Sequence, residues 1–328
     1  MTTDSELTID AIEDAAQRIQ PDVHRTGVLH SAAIDALAGR RVHLKAEHLQ
    51  RSGSFKARGA HNKLRLILDA ARRHGVVAVS SGNHATAVAC AGQRLGIPVD
   101  VYMPRDAPAL KQRATRGYGA RIHFFDRLLD DRAQLIDAHV EAHGSIAVEP
   151  FDDVDIMAGQ GTVAYELLTQ SRVDTLVVPM SGGGLMAGCA VAACAAQSDI
   201  TIIGVEPAVA DDTARSFAKG DRVEIPQPIT VADGLAVTAP GRLTFPINQR
   251  LVDRVVTVSD QQIIDTCVLL FERCKQVVEP SGATALAAVL AGLTGDADDV
   301  GVVMSGGNID VTELAALVAA HPPPSDRR

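Results

Sequence analysis

A short apolar run leads into a polar turn and then a helix in the stretch VVAVSSGNH, residues 76–84. Four consecutive apolar residues at 76–79 are typical of a strand that is buried on both faces. The helical pattern then continues to Leu95. A strand, a turn and a helix in this order form the repeating unit of a parallel α/β sheet.

The same alternation continues along the chain. Apolar runs predict further strands at 42–46, 99–103, 122–125, 175–179, 201–205, 255–258 and 302–304. Apolar side chains at helical spacing over residues 64–71 predict one helix with a buried stripe. The pattern as a whole predicts an α/β architecture with mostly parallel strands joined by right-handed crossovers.

Composition narrows the class of protein. The chain has 328 residues, of which 46% are apolar and 22% are charged, so we expect about two globular domains and exclude a disordered or collagen-like chain. A net charge of −9 argues against a nucleic-acid partner and against binding to anionic membranes. No signal-peptide pattern or long apolar run is present, so we expect a soluble, cytoplasmic protein. The five cysteines lack paired spacing, so we expect them to be buried and reduced.

Lys56 follows a turn rich in serine and glycine and precedes a helical stretch. In the first turn of a helix the dipole disfavours a cation, which lowers the pKa of the amine. Such a lysine is suited to act as a nucleophile or to form a Schiff base. Taken alone, a solvated lysine after a tight turn is the simpler interpretation.

A glycine-rich turn, SGGGLMAG at residues 181–188, follows the strand predicted at 175–179. Backbone N–H groups of such a loop at a helix N-terminus bind phosphate. No Gly-Lys-Ser/Thr follows, so it is not a P-loop, and a dinucleotide fingerprint matches only by spacing. An ordinary tight turn remains the alternative.

Two more polar turns, at residues 80–84 and 305–308, follow predicted strands. The first offers N–H groups and hydroxyls to an anion such as a carboxylate, or it forms an ordinary side-chain N-cap. His84 is more simply explained as a packed or hydrogen-bonded side chain than as a catalytic one. Ser305 lies at the end of a strand, where α/β folds place their ligands, although an ordinary turn would also fit.

Acidic residues follow another predicted strand. Glu206 and Asp212, with backbone carbonyls between them, could bind a hard cation such as Mg²⁺ or Ca²⁺. A helix start carrying solvated acids explains them equally well.

Together these turns are more specific than any one of them. A lysine able to form an imine, a phosphate-binding loop and an anion-binding turn are what pyridoxal 5′-phosphate needs.

The motifs resemble, in order, those of the fold type II pyridoxal-phosphate enzymes, in the branch of serine/threonine dehydratases and serine racemases. The resemblance covers residues 15–318 and rests chiefly on GSFKARGA at 53–60, SSGNH at 80–84, SGGGL at 181–185, EPSGA at 279–283 and SGGN at 305–308.

The resemblance implies a role for each matching residue. Lys56 would bind the cofactor as an imine and remove the substrate α-proton, and Ser81 would be the opposite acid/base in a racemase. Phe55 would pack on the cofactor ring, Asn83 would bind its 3′-oxygen, and Ser305 would meet its pyridine nitrogen. The phosphate would be bound by Gly182, Gly183, Gly184 and Leu185. The substrate carboxylate would be bound in the segment of Ser80, Ser81, Asn83 and His84. A divalent metal would be bound by Glu206, the Ala210 carbonyl and Asp212.

The resemblance also implies a fold and an activity. It implies two open α/β domains with mostly parallel, twisted sheets, a large one from 1–73 plus 149–328 and a small one from 74–148, in a homodimer. The implied activity is an ammonia-lyase that converts L-serine or L-threonine to a 2-oxo acid, because a serine at the pyridine nitrogen makes a weaker electron sink and favours elimination. Two alternatives stay open: a serine or aspartate racemase using Lys56 and Ser81, and a lyase for another β-hydroxy amino acid such as threo-3-hydroxyaspartate. The family often has Gln where this chain has Thr86, so nucleotide activation is not expected.

Overall fold

The structure, a computed structural model, describes residues 6–127 and 129–320. Strands and helices alternate over most of this length. The strands are β1 (Val28–Leu29), β2 (Arg41–Lys45), β3 (Val76–Val79), β4 (Val99–Pro104), β5 (Arg121–Phe125), β6 (Ile146–Ala147), β7 (Thr175–Pro179), β8 (Thr201–Pro207), β9 (Arg254–Val258) and β10 (Asp299–Val303). The helices are α1 (Ile9–Ile19), α2 (Ala32–Ala38), α3 (Lys56–Leu66), α4 (Leu68–His74), α5 (Asn83–Leu95), α6 (Ala109–Gly117), α7 (Arg132–His143), α8 (Val154–Gln170), α9 (Gly184–Ala196), α10 (Asp212–Lys219), α11 (Thr244–Leu251), α12 (Asp260–Leu269), α13 (Pro280–Leu290) and α14 (Val311–Ala320).

Within these ranges the strands form two sheets. The larger has the order β1-β2-β10-β7-β8-β9 and the smaller β5-β4-β3-β6. All neighbouring strands in them are parallel except β1, which pairs with β2 in the antiparallel direction. The predicted α/β class with mostly parallel strands is confirmed.

The smaller sheet is built from one continuous stretch of chain. Its strands lie between Val76 and Ala147, inside the small domain predicted at 74–148. The strands of the larger sheet come from both sides of that stretch. The domain boundaries themselves stay a prediction.

Apolar side chains cover both faces of the larger sheet. Leu176 and Val178 belong to the hydrophobic cluster that also contains residues of α8 and α9. Val177 lies between them in β7 and belongs to the cluster formed with α12 and α13. Since neighbouring side chains of a strand point to opposite faces, the sheet is covered by helices on both sides.

Helix α3 lies against α5, which follows β3 of the smaller sheet, and against α8. The contact with α8 is a backbone contact: a Cβ added at Gly159 would lie 2.6 Å from the Cα of Gly59. Only glycine permits so close a crossing. The crossing holds α3, and therefore its first residue Lys56, between the two sheets.

Three expectations need correction. The helix expected over 64–71 is two helices, because Ile67, with φ −106° and ψ 18°, separates α3 from α4. The strand expected at 302–304 is β10 and begins at Asp299; this polar residue and the side-chain-free Gly301 concealed its first half. Among the cysteines, Cys194 is exposed and Cys274 is only partly buried.

In the described part of the chain, no helix combines the length and the hydropathy that a membrane span needs.

Candidate active site

Lys56 is the first residue of α3, and no side chain caps this helix. Its Nζ donates to the carbonyl of Pro150 at 2.5 Å. Burial of the amine lowers its pKa to about 8, so roughly a tenth of it is neutral at pH 7. The lowered pKa expected from the sequence is therefore present, and desolvation of the buried amine causes it.

The glycine-rich loop precedes α9, and side chains of α11 donate hydrogen bonds to its carbonyl groups. Gly183, with φ 91°, is the N-cap residue of α9 and provides no side-chain cap. The carbonyl of Gly182 accepts from Thr244 Oγ1 at 2.6 Å, and that of Gly183 accepts from Asn248 Nδ2 at 3.1 Å. A Cβ added at Gly182 would lie 2.4 Å from the ring of Phe151. Glycine is therefore required at position 182 by packing and at position 183 by backbone conformation.

The N–H groups of this loop remain available for a ligand. Among the hydrogen bonds of the described residues, none uses the backbone N–H groups of residues 182–185. Free N–H groups at a helix N-terminus form an anion site, and the helix dipole adds to it. Lys56 contacts Pro150, and the next residue, Phe151, packs under the loop. The amine and the anion site therefore lie close to the same dipeptide.

The turn after β3 is a second group of free donors. Helix α5 begins at Asn83, and its N-cap residue Gly82 provides no side-chain cap. The expected alternative, an ordinary side-chain N-cap, is therefore wrong. Ser80 Oγ accepts from the N–H of Gly82 at 3.1 Å. Ser81 is partly exposed, and its hydroxyl makes no hydrogen bond within residues 6–127 and 129–320.

His84 is buried below this turn. It is 3% exposed, and its Nε2 lies 2.9 Å from the carbonyl of Val148. Burial, and next the ammonium group of Lys56, lower its pKa to about 3. His84 is therefore neutral at pH 7 and donates to the main chain, as expected for a packed histidine.

The Asn83 amide is bound at both of its polar atoms. Its Nδ2 donates to Glu279 Oε1 at 2.5 Å, and its Oδ1 accepts from Asn308 Nδ2 at 2.8 Å. Glu279 is 2% exposed. The motif around Glu279 gives no local sign of this contact, because Glu279 and Asn83 are 196 positions apart in the chain.

The turn after β10 is tied directly to the start of α3. Phe55 N donates to the carbonyl of Ser305 at 3.0 Å. The hydroxyl of Ser305 is buried and donates weakly to the carbonyl of Ser281, at 3.4 Å. Lys56 Nζ lies 5.2 Å from the centre of the Phe55 ring. The structure thus brings Phe55, Lys56 and Ser305 together.

The acidic residues at the end of β8 and at the start of α10 are not solvated. Glu206 and Asp212 are both fully buried. Glu206 accepts from the N–H groups of Thr213 and Ala214, whereas both carboxylate oxygens of Asp212 lack a hydrogen-bond partner. Burial raises the pKa of Asp212 to about 7, and burial together with the Asp212 carboxylate raises that of Glu206 to about 8.

Unpartnered buried oxygens of this kind fit a hard cation, and Ala210, which is also buried, precedes Asp212 by two positions. This candidate cation site contains only two carboxylates, those of Glu206 and Asp212. No cluster of three or more His, Cys, Asp or Glu side chains suited to a metal ion occurs in residues 6–127 and 129–320.

The candidate active site therefore combines three features at the carboxyl ends of β3, β7 and β10. They are a partly buried amine, a glycine loop with free N–H groups, and a turn with free donors. This set fits an aldehyde cofactor with a phosphate group, together with a carboxylate substrate.

The family model of pyridoxal-phosphate dependent enzymes matches residues 19–306 of this chain. The chain belongs to this family. It is 43% identical to an L-threo-3-hydroxyaspartate ammonia-lyase from Pseudomonas sp, over 93% of this chain and 96% of that protein.

Similarity to solved structures supports the same family assignment. The structure is similar to maize serine racemase, with a TM-score of 0.91 and 40% identity over 97% of this chain and 98% of that one. It is also similar to a threonine deaminase from T.th., with a TM-score of 0.87 and 42% identity over 92% of this chain and 99% of that one. The chain is thus a fold type II enzyme whose relatives include ammonia-lyases and racemases.

Proposed function

We propose that this pyridoxal-phosphate enzyme is an ammonia-lyase that converts a β-hydroxy L-amino acid to a 2-oxo acid and ammonia. The observation that carries the proposal is the amine of Lys56, whose pKa is lowered to about 8, close to a glycine loop with free N–H groups. An amine of this pKa removes a proton at neutral pH more readily than an ordinary lysine does.

Several residues are suited to bind the cofactor. The N–H groups of residues 182–185 would bind its phosphate, and Phe55 would pack on its ring. Asn83 would donate to the 3′-oxygen, and the Ser305 hydroxyl would face the pyridine nitrogen. When bound, pyridoxal phosphate withdraws electrons from the substrate Cα and so makes its hydrogen acidic.

The chain's own residues would bind the substrate and move its protons. The hydroxyls of Ser80 and Ser81 and the main-chain N–H of Asn83, in the turn above the buried His84, would bind the carboxylate and orient the Cα–H bond toward Lys56. The neutral amine of Lys56 would accept the α-proton. The Cβ–O bond then breaks, and the hydroxyl takes up one proton, equivalent to the one that Lys56 removed from Cα, and leaves as water. The enamine left behind takes up water and yields the 2-oxo acid and ammonia.

Three substrates are supported. The sequence resemblance favours L-serine and L-threonine, giving pyruvate and 2-oxobutanoate. The 43% identity to an L-threo-3-hydroxyaspartate ammonia-lyase adds that amino acid.

Racemisation is the second candidate function. It requires an acid/base on the face opposite Lys56, and the hydroxyl of Ser81 is partly exposed and free of hydrogen bonds within the described ranges. The similarity to maize serine racemase supports it.

We further propose that Glu206, Asp212 and the Ala210 carbonyl bind Mg²⁺ or Ca²⁺, since two buried carboxylates need a cation or protons. We also propose a small domain at 74–148, a large domain from 1–73 plus 149–328, and a homodimer.

The test is an assay of the purified protein with L-serine, L-threonine and L-threo-3-hydroxyaspartate, in which 2-oxo acid and D-amino acid are measured together. We expect 2-oxo acid that is absent with Lys56→Ala, and loss in that variant of the absorbance near ~410 nm that the lysine-bound cofactor produces. Ser81→Ala separates the two functions, because it should abolish D-amino acid formation and leave elimination measurable. D-amino acid as the main product would replace the proposal by the racemase, and 2-oxo acid formed equally well by Lys56→Ala would refute it.

A further inference from the structure

Lys111 is a buried cation that the sequence did not single out. It lies on α6, which follows β4 of the smaller sheet, and it is 5% exposed. Its Nζ lies 2.6 Å from Asp233 Oδ2 and 3.6 Å from Glu279 Oε2. Both partners belong to the part of the chain that carries the larger sheet. The ion pairs therefore cross between the two halves of the molecule.

The Glu279 carboxylate links Lys111 to Asn83. One oxygen, Oε1, accepts from the Asn83 amide, while Oε2 has no hydrogen bond and faces the Lys111 ammonium. Burial raises the pKa of Glu279, and the positive charge of Lys111 opposes that rise. Without this cation a carboxylate that is 2% exposed would tend to take up a proton.

The hydrogen bonds to Glu279 and Asn308 leave the Asn83 amide with one free N–H in a fixed direction. A side-chain amide has two N–H donors and one carbonyl oxygen. The oxygen accepts from Asn308, and one N–H is used by Glu279. One N–H is left over. With both other positions fixed, the rotation of the amide is fixed as well, so the direction of the remaining N–H is set.

Lys111 also packs against the backbone of the same turn. A Cβ added at Gly82 would lie 3.2 Å from Lys111 Cδ and 3.3 Å from its Nζ. The lysine therefore contacts the turn at Gly82 and acts on the next residue, Asn83, through Glu279.

We propose that Lys111 is a positioning residue of the active site: it keeps Glu279 charged and in place, and Glu279 holds the Asn83 amide with its remaining N–H directed at the cofactor. The inference rests on the proposed function, in which Asn83 donates to the 3′-oxygen. That N–H stabilises negative charge on the oxygen, so displacing the amide changes the pH at which the bound cofactor loses its proton.

The test is the pH titration of the ~410 nm absorbance of the holoenzyme, with kcat and KM measured beside it. For Lys111→Met we expect the midpoint to move by about one pH unit, and kcat to fall roughly 10- to 100-fold with a smaller change in KM. Lys111→Arg keeps the cation and should restore most of the midpoint. Glu279→Gln should reproduce the change, and the double variant should be no worse than either single variant.

Lys63→Met is the matched control. Lys63 is a partly buried lysine that also has two carboxylate partners, Asp153 and Asp155, but within the described residues no hydrogen bond or ion pair joins it to Asn83 or Glu279. Its loss should leave the midpoint where it is. An equal movement in Lys63→Met would show a general charge effect and overturn the inference.

The outcomes separate the two proposals. A wild-type protein without the absorbance overturns the proposed function, and the inference with it. A normal wild-type absorbance and an unmoved midpoint in folded Lys111→Met overturn the inference alone. If Lys111→Met does not fold, Glu279→Gln decides: a moved midpoint supports the inference and an unmoved one overturns it.

Discussion

The replacement Glu47→Gln tests how the start of α3 is held in place. Glu47 and Arg58 are both fully buried, and the carboxylate accepts from Arg58 Nε and Nη2, each at 2.7 Å. Arg58 also bonds to Glu166, which in turn accepts from Lys45 at 2.8 Å. Two cations are thus balanced by two carboxylates beneath the first turn of α3, close to Lys56.

Glutamine keeps the shape of the side chain and removes only the charge. The buried guanidinium then lacks one counter-charge, and breaking a buried pair in this way costs about 3–5 kcal/mol. Unfolding entropy is about 2.1 cal/mol/K per residue, so for 328 residues we expect Tm to fall by about 4–7 °C. Thermal unfolding of the holoenzyme, followed by circular dichroism, measures this.

Two comparisons sharpen the test. Glu166→Gln removes the same charge from a side chain that is 16% exposed, so water compensates in part and the fall in Tm should be smaller. Arg58 and Lys45 hold the pKa of Glu47 below its ordinary 4.5, so the carboxylate contributes its stability above pH 4.5 and loses it as the pH falls further. The difference in Tm between wild type and Glu47→Gln should therefore become smaller below pH 4.5. A fall in Tm of less than about 1 °C for Glu47→Gln at pH 7, or a larger fall for Glu166→Gln, would show that the buried Glu47–Arg58 pair does not stabilise the protein in this way.

Three further outcomes are expected. The pKa of His84 is lowered from 6.5 to about 3, so between these pH values the imidazole binds a proton in the unfolded chain but not in the folded one. Tm should therefore fall as the pH drops from 6.5 toward 3, and it should fall less steeply in His84→Gln. An equally steep fall of Tm in both proteins would contradict the assignment of His84 as a buried neutral residue. Gly182→Ala should lower both Tm and the absorbance of the bound cofactor, since the added Cβ would lie 2.4 Å from the Phe151 ring. Gly117→Ala is the control and should change neither, because a Cβ added there has no neighbouring atom within 4 Å. Millimolar Mg²⁺ or Ca²⁺ should raise the Tm of wild type but not of Asp212→Asn, because only the native site offers two carboxylates; a wild-type Tm indifferent to both ions would count against the metal site.

Local pattern was enough to place most of the strands and the turns of the site. The strand 76–79 and the helix 83–95 occur in the structure with those bounds, because alternation and helical spacing are properties of neighbouring residues. The same reasoning missed the break at Ile67, since the apolar stripe continues across it. It also started β10 too late, at 302 instead of 299.

Some residues of the candidate site could likewise be found from local sequence patterns, whereas others could be recognised only from the fold. The residues that the motifs singled out, among them Lys56, Asn83, Gly182 and Ser305, are brought to neighbouring turns. The sequence left Asp212 open between a solvated acid and a metal ligand, and only its complete burial excludes the solvated one. Lys111 carries no local signal at all, because its partners Asp233 and Glu279 lie more than a hundred positions away.

Local sequence patterns were therefore sufficient to predict the α/β class, the turns that carry the chemistry and, through the order of those turns, the resemblance to a cofactor-dependent family. Tertiary contacts were needed to show that burial lowers the pKa of Lys56, that His84 is a neutral packed residue, and that Glu279 accepts a hydrogen bond from Asn83. The physical reason is that periodicity and turn chemistry depend on residues adjacent in the chain. Desolvation and ion pairing depend on which distant segments the fold brings together.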